Sequence, residues 1–182
     1  AASDVYKRQA LSRLTKAGDL RRLARGLYDF PKIHPKFGAL APSPDNVARA
    51  LARETGSNLQ IDGPQAANAL GLSTQVAAQS RWLTDGPSRR VVLGKRVIDL
   101  RHTSPKHLIA PGSPAGTVVQ ALRHVGAARA SDVMHAASRH LSASDKKLLA
   151  RNATQAPAWM RATLLSIADP KPSGSGVGAA LG

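Results

Sequence analysis

The apolar positions of residues 4–16 have the spacing of an amphipathic helix. Every fourth position is apolar, at Tyr6, Ala10 and Leu14, and the opposite side carries polar and basic residues. Because residues four apart lie on one face of a helix, this pattern predicts a helix with a basic outer face. Gly18 follows at the position where such a helix would end.

The next segment has the pattern of a tight hairpin. Two short runs, Leu20–Ala24 and Leu27–Phe30, flank the pair Arg25-Gly26, whose glycine can take the positive φ that the turn requires. A basic helix followed at once by a basic hairpin is the second half of a winged helix-turn-helix. The supporting helices that usually come first are missing. We therefore expect residues 1–38 to form a partial winged helix-turn-helix, either because the chain is truncated or because its first residues are foreign.

Residues 39–168 have the mixed pattern of a second, α+β domain. A linker is predicted at residues 32–44, because they hold three prolines and one glycine. Beyond it, the pattern predicts a helix-rich domain with a small, mostly antiparallel sheet, followed by a disordered tail at 169–182. The predicted elements are a helix at 45–54, a strand at 58–61, a helix at 64–70, a strand at 81–84, a hairpin of 91–93 and 96–101, and helices at 114–126, from 131, from a Ser142–Asp145 capping box, and at 157–167.

Composition excludes several classes of site. The 182 residues include no cysteine, which excludes disulfides, thiolate metal sites and a cysteine nucleophile. No run of about 18 apolar residues is present, so we expect no membrane-spanning helix. The chain does not open with a basic stretch followed by an apolar segment, which argues against a secretory leader. We expect a cytoplasmic protein with no membrane partner.

The charge indicates a polyanionic partner. The chain has 26 Lys and Arg against 11 Asp and Glu, a net charge of +15. The excess is densest at the N-terminus, where residues 1–38 hold nine basic and three acidic residues, against sixteen and seven in residues 39–168. Basic residues that contact phosphates supply most of the non-specific affinity for nucleic acid. The alternative is that the charge reflects a proteome rich in Arg and Ala.

The basic helix and hairpin form the one group of residues with a clear mechanism. A recognition helix presents short polar and basic side chains to base edges, while Arg and Lys hold the phosphates. The candidate DNA-binding residues are Ser12, Arg13 and Lys16 on the helix, and Arg21, Arg22 and Arg25 on the wing.

Catalytic and metal-binding signatures are absent from the sequence. It contains no GxSxG, HExxH, P-loop or GxGxxG motif, so we expect neither an enzyme nor a bound cofactor or metal. A hydrolytic set could still be written from Ser104, His102 and either Asp99 or Asp85, although such sets are recognised by geometry.

Three segments carry a resemblance to a known family. They are ALSRLTKAGDLRRLARGLYDFP, IDGPQAANALGLSTQ and WLTDGPSRRVVLGKRVIDLRHTSP, in that order along the chain. They resemble the AbiEi-type antitoxins of abortive-infection (type IV) toxin–antitoxin systems, in a short subgroup where a winged helix precedes a compact C-terminal domain. The resemblance runs from about Ala10 to Ala168. Residues 1–9 depart from it, and the stretch DVYKRQ resembles translated sequencing adapter, so we expect these residues to be foreign.

The resemblance implies a transcriptional autorepressor encoded beside a nucleotidyltransferase-like toxin. The winged helix would bind operator DNA, as more than one copy on repeats. The C-terminal domain would carry the antitoxic effect, which would not require a stable complex with the toxin. Two alternatives stay open. One is a protein- or RNA-binding module without sequence-specific DNA binding, and the other is an enzyme that acts on the toxin or its target through the Asp85–His102 region.

Overall fold

The computed structural model describes residues 2–74 and 79–169, and its architecture is α+β. Part of the predicted tail, residues 170–182, lies outside the described residues. Helices and small sheets alternate in the first part of the chain, and helices alone follow from residue 114. In the described segments, no helix is both long and apolar enough to cross a bilayer.

The N-terminal helix and hairpin form where the sequence predicts them. Helix α1 spans Ala2–Ala17, and strands β1 (Arg21–Ala24) and β2 (Leu27–Asp29) pair antiparallel across the turn. Gly26 has a φ of +75°, the conformation that a residue with a side chain rarely adopts. A bulge in β1 between Arg22 and Ala24 shifts the register of the hairpin.

The prediction of a linker at residues 32–44 was wrong, because this segment contains a second, small hairpin. Strands β3 (Ile33–His34) and β4 (Gly38–Ala39) pair antiparallel. The backbone N–H of Leu40 donates to the carbonyl of Lys32 at 2.8 Å and closes the base of this hairpin. The prolines do not prevent the pairing, since they lie outside the strands, where no ladder hydrogen bond is needed from them.

The second domain begins with a helix, a four-stranded sheet and a short helix. Its elements are α2 (Pro44–Glu54), β5 (Leu59–Ile61), α3 (Gly63–Ala69), β6 (Gln79–Thr84), β7 (Arg89–Leu93) and β8 (Arg96–His102). The strand order is β5-β6-β8-β7. The outer pairings are antiparallel, as predicted, but the central pairing of β6 with β8 is parallel. The sheet is therefore mixed, because β7 takes the edge position and returns the chain to β8 beside β6.

Four helices complete the domain. They are α4 (Pro114–Val125), α5 (Ala130–His140), α6 (Ala143–Asn152) and α7 (Ala158–Ala168). The predicted capping box at the start of α6 is confirmed, since Ser142 and Asp145 each accept from the backbone N–H of the other. Both hydrogen bonds satisfy amides that the first turn of a helix leaves free.

Two apolar clusters hold these elements together. The first joins Leu27 of β2 to α2 and to the sheet, and it includes the buried Trp82 and Ile98. The second lies among α3 and the four C-terminal helices, around fully buried residues such as Leu122 and Met160. The β1–β2 hairpin is thus fixed to the sheet through Leu27, whereas no residue of α1 belongs to either cluster.

Candidate nucleic-acid interface

Helix α1 is open to solvent along most of its length. The exposed fractions of Val5, Tyr6 and Leu14 are 50%, 72% and 39%. Only Ala10, Leu11 and Thr15 are partly buried in the stretch from residue 3 to residue 17. Because the helix is this exposed, its polar side can contact a partner without any change in the packing of the buried residues.

The three helix residues predicted to contact DNA lie together on that polar side. Ser12, Arg13 and Lys16 are all exposed, and Lys16 lies one turn beyond Ser12. Gln9 extends the same face by one turn. Tyr6, predicted on the apolar side, is 72% exposed instead, and with Gln9, Ser12 and Arg13 it lines a shallow surface depression. The helix therefore presents hydroxyl, amide and guanidinium groups in one row.

The wing supplies two further exposed cations. Arg25 occupies the turn of the β1–β2 hairpin beside Gly26, and Arg22 lies on β1. Within the described residues, neither side chain has a hydrogen bond or ion pair, and the same is true of Arg13 and Lys16. These four charges, which we call the free cations, are uncompensated and available to an anionic partner.

Arg21, the sixth predicted contact, has a different role in the fold. Its Nε and Nη2 donate to the two carboxylate oxygens of Asp29 at 3.1 and 2.7 Å, and Nη2 also donates to the carbonyl of Leu40 at 2.8 Å. The hydrogen bond to Asp29 raises the pKa of the Arg21 guanidinium above its usual value. Arg21 therefore joins the two hairpins, and most of its charge is compensated within the protein.

Exposed apolar residues for which the sequence predicts no role lie on the second hairpin and just before it. Phe30, Ile33 and Phe37 are 75%, 71% and 76% exposed, and Lys32 and Lys36 lie between them. The alternation of apolar and basic residues from 30 to 37 was the available signal. This alternation did not lead to a predicted hairpin, because proline-rich sequence is usually assigned to a loop.

The residues of the alternative catalytic set are engaged with other partners. His102 contacts the carbonyl of Gly86 through Nδ1 at 2.9 Å, and Asp85 accepts from the backbone and side chain of Asn58 at 2.8 and 2.7 Å. The side-chain hydrogen bond from Asn58 lowers the pKa of Asp85. In the described part of the chain, no hydrogen bond joins His102 to Asp85, Asp99 or Ser104.

Asp99 is a buried carboxylate held between two arginines. Arg101 donates to it at 2.8 Å, and Arg81 lies at 3.4 Å. Burial alone would raise the pKa of Asp99, but the hydrogen bond from Arg101 and the positive charges of Arg101 and Arg81 outweigh it and lower that pKa. Across residues 2–74 and 79–169, no group of three or more His, Asp or Glu side chains is placed to hold a metal ion.

Comparison with known proteins identifies a family for this chain. A family of unknown function (DUF6088) matches residues 1–149. The chain belongs to the DUF6088 family. The match to DUF6088 covers α1, both hairpins and the sheet, and it ends within α6. It begins at residue 1 and so includes residues 1–9, which the earlier resemblance does not cover. No curated protein and no solved structure matches the chain.

Proposed function

We propose that this protein is a non-enzymatic, DNA-binding regulator of the antitoxin kind, which represses its own operon. Helix α1 is the recognition element of a partial winged helix-turn-helix, and the β1–β2 hairpin is its wing. Ser12 and Arg13 face the base edges, while Lys16, Arg22 and Arg25 hold phosphates. Arg21 contributes by fixing the wing.

The observation that carries this proposal is the placement of the four free cations. They occupy one exposed helix and the hairpin that directly follows it, and the described residues offer them no carboxylate partner. In helix-turn-helix proteins, basic side chains on the recognition helix and on neighbouring elements contact the phosphates and fix the protein on the duplex. Binding by such a surface is mainly electrostatic and is steered by the net charge of the whole chain.

The antitoxin part of the proposal rests on the sequence resemblance. A repressor of this kind acts in the cytoplasm, binds operator repeats as more than one copy, and counteracts a nucleotidyltransferase-like toxin encoded beside it. The helix-rich part of the chain, with its own apolar cluster around α4, carries the antitoxic effect. Neutralisation does not require a stable complex between the two proteins.

The test is binding to the DNA upstream of its own gene. We expect the protein to bind this duplex more tightly than a scrambled duplex or a structured RNA of equal length, at near-physiological salt, in fluorescence anisotropy. Equal affinity for all three would mean that the positive charge reflects only the composition of the chain, which would contradict the proposal. Preference for the RNA would favour the RNA-binding alternative.

A matched pair of triple variants separates the site from the net charge. Changing Arg13, Arg22 and Arg25 to Gln removes three of the free cations. The control changes Arg90, Arg139 and Arg151 to Gln, which are exposed and unpaired among the described residues but lie elsewhere. Both variants lose the same charge, so only the first is expected to lose preference for the upstream duplex.

A further inference from the structure

Residues 30–37, on the second hairpin and just before it, expose three large apolar side chains. Both phenylalanines of the chain, Phe30 and Phe37, lie in this region, and each is three-quarters exposed. Single exposed apolar residues are common, but a cluster of large ones marks a binding surface. Ile33 on β3 is exposed as well.

The hairpin is held beside the wing, and Phe37 is at its tip. Arg21 of β1 donates to the carbonyl of Leu40, which is the residue that closes the base of the second hairpin. At the other end, Phe37 lies in the turn between β3 and β4, and the ring of His34 packs against it with centroids 4.8 Å apart. The Phe37 ring is therefore supported on one side by His34 and is otherwise open to solvent.

The charge around this tip favours an anionic occupant. From Phe30 to Pro44 the sequence contains Lys32, Lys36 and no acidic residue. A second copy of this chain would bring the same positive segments together, which costs electrostatic free energy. Duplex DNA, in contrast, combines a dense negative backbone with apolar base faces, and proteins that bend DNA insert Phe, Leu or Ile side chains between base steps.

We infer that the tip of the β3–β4 hairpin inserts Phe37 between base pairs of the bound duplex and kinks it. Lys32 and Lys36 hold the phosphates on either side of the opened step. The inference rests on the proposed DNA-binding function and adds to it a second contact element, which reads the deformability of the operator.

The experiment measures affinity and bending together on the upstream duplex, labelled at both ends for energy transfer. Phe37→Ala is expected to bind about tenfold more weakly, within the range that loss of one stacked aromatic produces, and to lose the bend. The salt dependence is expected to stay unchanged, because no charge is removed. Phe37→Leu keeps an apolar wedge and is expected to keep most of the bend. Val92→Ala, an exposed apolar change on β7, is the matched control.

The outcomes distinguish the two proposals. If the unaltered protein shows no preference for the upstream duplex, the proposed function fails. If it shows that preference but Phe37→Ala binds and bends the duplex equally well, only the wedge is overturned. A third result, in which Phe37→Ala changes the oligomeric state in sedimentation but not the DNA bend, would make the hairpin a protein interface and also overturn the wedge. Since Phe37 is exposed, loss of folding is not expected to obscure these results.

Discussion

At the scale of single residues, two groups of arginines differ in their partners. Arg21, Arg89 and Arg101 are paired with the carboxylates of Asp29, Glu54 and Asp99. Arg13 and Arg25 are exposed and unpaired among the described residues. The first group stabilises β1, β7 and β8, while the second group is available to bind a phosphate at little cost in stability, because surface charges contribute little to folding.

Arg25→Ala tests a single member of the free cations. We expect weaker binding to the upstream duplex and a salt slope, in log affinity against log salt, that is smaller by about 0.9, the change for one phosphate contact. Titrations between roughly 50 and 200 mM salt would measure it. Arg151→Ala is the control on α6, and an equal change of slope in both variants would contradict the assignment of Arg25.

Asp99 gives a prediction about pH. A carboxyl whose pKa is lowered on folding stabilises the protein above its unfolded pKa of about 3.9, and it loses that contribution as the pH falls through the folded pKa. Asp99→Asn is therefore expected to lower the free energy of unfolding by about 1 kcal/mol at pH 7, and by much less near pH 3.

Urea unfolding at the two pH values would measure this difference. Asp132→Asn breaks an exposed pair with Arg129 and is the control, with little effect at either pH. A loss for Asp99→Asn that is equal at pH 7 and pH 3 would mean that the negative charge of Asp99 does not stabilise the sheet.

The partner of Arg21 shows why residue contacts were harder to predict than elements. A regular hairpin turning at Arg25-Gly26, with Ala24 opposite Leu27, would place Arg22 opposite Asp29. The bulge after Arg22 shifts the pairing so that Arg21 lies opposite Asp29 instead. Nothing in the sequence marks that bulge. The sequence therefore predicts a basic wing, but not which arginine is used to hold it.

At the scale of elements, the two hairpins act as one unit through Arg21. Its guanidinium contacts Asp29 of β2 and the carbonyl of Leu40 beyond β4. The planar fork of arginine makes both contacts at once, which the single ammonium group of lysine does not reproduce. The position of the second hairpin relative to the wing therefore depends on the geometry of this side chain, not only on its charge.

Arg21→Lys tests that dependence while keeping the charge. We expect the backbone amide of Leu40, which closes the second hairpin, to exchange with solvent about fivefold faster, corresponding to about 1 kcal/mol. Arg22→Lys, on the same strand but without a partner in the described segments, is the control. Equal exchange rates in the two variants, measured by nuclear magnetic resonance, would show that Arg21 does not hold the hairpins together.

The sequence pattern predicts the elements that are determined by neighbouring residues. It does not predict those that depend on contacts between distant parts of the chain. The Ser142–Asp145 capping box and the hairpin at Gly26 follow from neighbouring residues, and both predictions are confirmed. The parallel pairing of β6 with β8 joins strands separated by β7, so no short-range signal could specify it. The second hairpin at residues 33–39 was missed because its strands have two residues each, too few for an alternating pattern.

At the scale of the whole molecule, the apolar packing and the densest positive charge lie in different parts of the chain. The buried residues form one cluster around the sheet and another among the C-terminal helices. The densest positive charge, in residues 1–38, belongs to α1 and the hairpins, which bury little apolar surface apart from Leu20 and Leu27. A basic and largely exposed N-terminal segment beside the packed clusters is the arrangement that the proposed DNA binding requires.

Hydrogen exchange with and without the upstream duplex tests this arrangement most directly. Exchange followed by peptide mass spectrometry reports protection along the whole chain at near-physiological salt. Our account predicts slower exchange in residues 2–40 when the duplex is present, and unchanged exchange in α4–α7. Protection confined to the C-terminal helices, or no protection anywhere, would contradict the claim that helix α1 and the two hairpins form a DNA-binding surface.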